Sequence, residues 1–177
     1  TCPTCIVPIT LDSPRLGSWL DGSGTVARSM HGEISVFRIW NVETPGVDVC
    51  PGALTDGLIA QYVFGADTDN IATDLSGNGY DASIHDASWS SELPPSQQCQ
   101  KQGFGGLFDG DDDWAVLQDD LGSFPAVTMD VWVKFNDITG EHPVVMEDGW
   151  QPGDIHFQIF NDDLVLGTLS LSLSLSL

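Results

Sequence analysis

Hydrophobic and polar positions alternate along much of this 177-residue chain, and they do so with a period of two. Residues 127–135 give the clearest case. Val127, Met129, Val131, Val133 and Phe135 fall on one face, and Thr128, Asp130, Trp132 and Lys134 on the other, as in a half-buried strand. Residues 32–40, G-E-I-S-V-F-R-I-W, are also strand-like but carry apolar side chains on both faces. A strand of that kind belongs inside a sandwich or beneath another layer. Shorter strands are predicted at 58–64, 82–89, 114–117, 144–146, 155–160 and 164–166.

Between these runs lie turns rich in Gly, Asp, Asn and Pro, which supply the positive φ angles and local side-chain bonds that turns require. No window of eleven residues has the spacing of an amphipathic helix. Many short strands joined by such turns predict an all-β fold, an antiparallel β-sandwich. Residues 1–14, rich in Pro, Thr and Ser, read as an extended arm or linker, and residues 45–56 as a connector. The stretch 169–177 alternates Leu and Ser strictly. It reads as a low-complexity strand (residues 168–177) of uncertain identity, on whose side chains no function is placed.

Charge narrows the function. The chain has 26 acidic residues and 5 basic ones, for a net of −21. So few cations argue against phosphate-backbone binding and so against nucleic acid, and equally against an anionic membrane surface. No apolar run approaches the roughly 20 residues of a membrane-spanning helix. The charge is uneven: residues 1–53 carry a net of −2 and residues 54–177 a net of −19. Most of the acids are Asp, a residue of turns and cation sites.

The four cysteines, Cys2, Cys5, Cys50 and Cys99, allow three pairings, among which sequence does not choose. The Cys2-Pro-Thr-Cys5 spacing matches a redox pair, but the extended chain after it is not the helix that such a motif needs. Zinc would need a second close pair. Structural disulfides in an oxidising compartment are the expectation, and with them a secreted, extracellular protein. No signal peptide heads the sequence, as in a mature or excised chain.

Two turns concentrate the candidate chemistry. Asp74, Asn78 and Asp81 share one, and Asp109, Asp111, Asp112 and Asp113 crowd the other. Calcium takes six to eight oxygen ligands from groups of this kind, and Asp74, Asn78, Asp81, Asp109, Asp111 and Asp112 are the candidate set. The alternative is that these side chains cap their own turns. Trp89 and Trp150 are the candidates for an exposed, sugar-stacking surface, whereas Trp40, Trp114 and Trp132 are expected in the core. Glycosidases use paired carboxylates, and a retaining pair must sit about 5–5.5 Å apart. Glu33 stands alone and Glu147 and Asp148 would face opposite ways on a strand, so no catalytic residue is assigned. His31, His85, His142 and His156 are scattered and expected at structural or surface positions.

Several motifs occur in a consistent order. Gly57-Leu-Ile-Ala-Gln-Tyr-Val-Phe64 is followed by Asp74-Leu-Ser-Gly-Asn-Gly-Tyr-Asp-Ala82. Then come Phe108-Asp-Gly-Asp-Asp-Asp-Trp114 and Thr128-Met-Asp-Val-Trp-Val-Lys134. This order resembles the opening half of a laminin-G-like, concanavalin A-like jelly roll, over residues 57–167. Residues 15–44, with Leu16-Gly-Ser-Trp-Leu20 and Gly32-Glu-Ile-Ser-Val-Phe-Arg-Ile-Trp-Asn41, resemble the closing strands of the same family. Here they come first, and the family's middle strands do not follow Gly167.

Three arrangements fit: one period cut from a tandem array, a permuted domain, or strands donated between copies. The first and third favour a head-to-tail polymer or fibril. The resemblance implies a non-catalytic, extracellular, structural or adhesive module whose partners are other copies of itself, glycans or extracellular proteins. A calcium-dependent, lectin-like glycan-binding domain is the alternative, and a glycoside hydrolase-related fold the third reading.

Overall fold

In the computed structural model, the described residues are 8–43, 55–65, 70–90, 105–117, 120–147, 152–167 and 172–175. Among them there is no helix, hence none long and apolar enough to cross a membrane. The strands are β1 (Ile9–Leu11), β2 (Arg15–Leu16), β3 (Ser18–Leu20), β4 (Val26–Ser29), β5 (His31–Trp40) and β6 (Leu58–Val63). They continue with β7 (Ile71–Ala72), β8 (Ala82–His85), β9 (Ser88–Ser90), β10 (Gly105–Asp109), β11 (Trp114–Val116) and β12 (Gly122–Phe124). The last are β13 (Thr128–Phe135), β14 (Glu141–Met146), β15 (His156–Phe160), β16 (Asp163–Gly167) and β17 (Ser172–Leu175).

Two large sheets form an all-β sandwich. One is ordered β17-β13-β5-β10-β9, with β6 also paired to β5. The other is ordered β16-β15-β14-β2-β11-β8-β7. The pairings are antiparallel except that of β17 with β13, which is parallel. Two small ribbons, β1 with β12 and β3 with β4, complete the architecture.

The strand with apolar residues on both faces organises the first sheet. Along one edge, β5 pairs with β13 from Gly32 to Trp40. Its other edge is shared: His31 to Ile34 pair with β10, and Val36 to Trp40 pair with β6. Every residue from Gly32 to Trp40 is buried. Ile34, Phe37 and Ile39 enter the main core. Arg38 lies on the opposite face, where its guanidinium donates to Asp130 at 2.8 Å.

Tyr62, Phe64, Phe108, Met129, Val131 and Val133 join that core from the same sheet. Leu16, Ile84, Ala115, Val144, Val145 and Phe157 meet them from the seven-stranded sheet. The alternation in β13 holds, with Val127, Met129, Val131 and Val133 buried and Lys134 exposed. Thr128 is also buried, because its hydroxyl donates to the carbonyl of Val42 at 2.8 Å.

The strands that resemble a closing half therefore lie inside this chain's own sheets. β5 sits between β13 and the β6/β10 edge, and β2 between β14 and β11. Within the segment read as an arm, Ile9–Leu11 is a strand. Ile9 and Leu11 are 2% and 0% exposed in the core, and Thr10 bonds across to Ser123. This part of residues 1–14 is thus built into the fold rather than extended from it.

Gly32 packs directly against the backbone of β13. A Cβ there would stand 2.2 Å from the carbonyl oxygen of Lys134 and 3.0 Å from the Cα of Phe135, both backbone atoms that cannot swing aside. By contrast, Gly22 has open space around its Cβ position. In denaturant unfolding, Gly32→Ala is expected to cost about 2–4 kcal/mol through overpacking, while Gly22→Ala stays within about 0.5 kcal/mol of the parent.

Candidate functional site

The first Asp turn is a hydrogen-bonded knot tied onto β6. Asp74 is buried, and both of its carboxylate oxygens accept hydrogen bonds. Oδ1 receives the amides of Gln61 (3.0 Å) and Ser76 (2.9 Å). Oδ2 receives the Ser76 hydroxyl (2.7 Å) and the amide of Tyr80 (3.1 Å). Asp81 Oδ1 accepts the amide of Asp74 at 2.9 Å. Asn78 Nδ2 donates to the carbonyls of Leu58 and Ile59 at 2.9 and 2.8 Å.

The chain can make this tight return because Gly77 and Gly79 adopt positive φ angles of 90° and 82°, where a side chain would be strained. Burial opposes charge on Asp74, but the bonds from Gln61, Ser76 and Tyr80 outweigh it and hold the carboxyl below the usual aspartate range. The Tyr62 hydroxyl donates to the carbonyl of Tyr80. Its own pKa is pushed up by burial and by the charges of Asp74 and Asp81.

The second turn is different in kind. The amide of Asp109 donates to Asp113 Oδ2 at 2.7 Å, and the amide of Asp111 to Asp109 Oδ1 at 2.8 Å. The Ser29 hydroxyl donates to the carbonyl of Asp111. Carboxylate oxygens of Asp109, Asp112 and Asp113 lie within 4.8 Å of one another. Asp113 is buried, whereas Asp109 and Asp112 are exposed. Burial raises the pKa of Asp113 most; the bond from Asp109 N opposes this, and the neighbouring charges of Asp109, Asp112 and Asp86 add to it. Like charges packed this closely favour protonation or a bound cation, and three carboxylates are suitable first ligands for calcium.

The structure thus sorts the expected ligand set. It gathers Asp109 and Asp112, and adds Asp113. The side chain of Asp111 is not in that group, although its amide braces Asp109. Asp74, Asn78 and Asp81 each make hydrogen bonds that hold their own turn. The sequence signal for Asp113 was its place four residues after Asp109 and directly before a buried strand, where a carboxylate can cap the turn that it closes.

The aromatic candidates are also redistributed. Trp89 is half-buried against the core, at a position paired with Gly106, rather than forming an exposed platform. Trp150 lies outside the described residues, as do Cys2, Cys5, Cys50 and Cys99. Trp40 is buried as expected. Trp114 is half-buried on the face away from the core, because its neighbour Ala115 points inward. Its ring stacks on His85 at 3.6 Å and 9°, with the Arg15 guanidinium 5.2 Å from its centroid. Trp132 is half-buried.

Glu33 is buried and lies 3.7 Å from the Lys134 ammonium. Glu147 is buried at the end of β14, in the other sheet, and Asp148 lies outside the described residues. His31 and His85 are exposed, and His142 and His156 are buried.

Replacing Asp74 with Ala strips partners from three backbone amides and is expected to cost about 2–4 kcal/mol, measured by denaturant unfolding. The folded-state pKa of Asp74 is depressed, so its contribution is present above the ordinary value of 3.8 and is lost as pH falls below it. Asp74→Asn should accordingly show a shallower loss of stability between pH 5 and pH 2 than the parent. Comparison of the chain with protein-family models, with curated proteins and with solved structures gives no match.

Proposed function

We propose that this chain is a non-catalytic, extracellular β-sandwich module of the laminin-G-like type with a structural or adhesive role. The observation that carries this reading is the turn from Asp74 to Asp81. This eight-residue motif, which resembles that family's pattern, fastens itself to β6 through Asp74 and Asn78 and braces itself internally through Asp81. Carboxylates spent on backbone amides hold a scaffold and are poor acids or bases for turnover. A sandwich closed by its own β2 and β5 can be strung in series along a longer chain. Association between copies then runs through the surfaces of complete domains.

A calcium-dependent, glycan-binding role is the second reading, and the group Asp109, Asp112 and Asp113 favours it. Its exposed position on a turn beside β11 would let a bound ion present open coordination positions to sugar hydroxyls.

Binding of the purified chain to arrays of glycans and extracellular-matrix proteins, with calcium and with chelator, separates the two. The adhesive reading expects captured protein or glycan partners whose binding survives chelation. Binding that is lost in chelator and in the double variant Asp109→Asn/Asp112→Asn would favour the calcium-dependent one. Release of reducing sugar from any glycan would contradict both.

A further inference from the structure

We infer that Glu147 is a proton-operated clasp that closes the corner where the β1–β2 turn meets residues 153–155. The side chain follows directly on β14 and is 3% exposed. Oε1 accepts the amide of Asp12 at 2.8 Å, and Oε2 accepts the amide of Ile155 at 2.8 Å. The amide of Glu147 itself donates to the carbonyl of Ile155 at 3.1 Å. One residue therefore ties three segments together.

The same corner is packed closely. The amide of Thr10 donates to the carbonyl of Gly153 at 3.2 Å. A Cβ on Gly153 would stand 2.6 Å from the carbonyl oxygen of Pro8. What the clasp retains is β1, which carries Ile9 and Leu11 into the core and pairs with β12.

The surroundings make the clasp sensitive to a proton. Two acids, Asp154 and Asp12 of the β1–β2 turn, act on the carboxyl by charge repulsion. Burial raises its pKa most. The two amide bonds pull the other way, and the repulsion of Asp154 and Asp12 adds to burial, leaving the group at about 7 against an ordinary 4.5.

When the corner opens, the carboxyl returns to water and to its ordinary affinity for protons. Opening is therefore hardest below pH 4.5, becomes easier as pH rises through about 7, and changes little beyond that. The pKa difference corresponds to a rise in the opening equilibrium on the order of a hundredfold across that window. In acid the strand β1 is held more firmly than in neutral to alkaline surroundings, where its edge and the side chains of Ile9 and Leu11 are uncovered more often.

The test is native-state hydrogen exchange of the intact chain at pH 5 and pH 8, corrected for intrinsic exchange, together with a carbon NMR titration of the Glu147 carboxyl. The amides of Asp12 and Ile155 should lose protection on the order of a hundredfold relative to the amide of Phe37. That extra loss should vanish in Glu147→Gln, which is neutral at both pH values. A titration midpoint near 4.5 in the parent protein would overturn the inference. So would a pH dependence that persists in Glu147→Gln. The titration needs no variant, so the inference is still tested if that substitution fails to fold.

Discussion

A long strand buried on both faces and bonded along both edges can exist only inside a nearly complete sandwich, and β5 is that strand. Its polar backbone must find partners on each side, since an unpaired buried peptide group costs as much as a lost hydrogen bond. Here β13 supplies one edge, and β6 and β10 divide the other. Its apolar residues reach the seven-stranded sheet on one face, and on the other Arg38 is neutralised by Asp130. Once β5 is seated, the order of the first sheet is settled, and with it the ends of β6 and β10 where the two Asp turns sit.

Those turns show how a chain with a net charge of −21 stays compact. The acids at 74 and 81 serve as acceptors for amides and so stand in for backbone carbonyls at places where the chain reverses. In the second turn the geometry satisfies the backbone but leaves three carboxylates face to face. Glu147 repeats the theme in the interior, as an acceptor for two amides with acids on either side. Acidic side chains thus occur in three settings: bonded to backbone amides in a turn, crowded together, and buried between strands.

The parts of this fold that could be read from sequence are those with enough length to show a period. β5 and β13 carry their burial in their spelling. β2, β7 and β12 have two or three residues each, too few for any periodicity to register, and they exist because neighbouring strands offer an edge. Residues 9–11, Ile-Thr-Leu, do alternate, but the prolines at 8 and 14 on either side pointed to an arm. Trp114 was expected inside because it lies within a strand, yet Ala115 and Leu117 share the inward face and so turn Trp114 outward. At the candidate site, the crowding of Asp was legible. Which carboxylates spend their oxygens on amides was not, because the donors at Gln61 and Ile155 lie 13 and 8 residues away.

The central claim is that β5 completes the sandwich of its own chain. Isotope-filtered NOE spectroscopy on a sample refolded from equal parts labelled and unlabelled protein tests it directly, through the contacts of Phe37 with Tyr62 and of Ile39 with Met129. The account predicts that these contacts arise within single molecules and are absent from the spectrum filtered for contacts between molecules. Their appearance in that spectrum would show β5 donated from one copy to another and would contradict it.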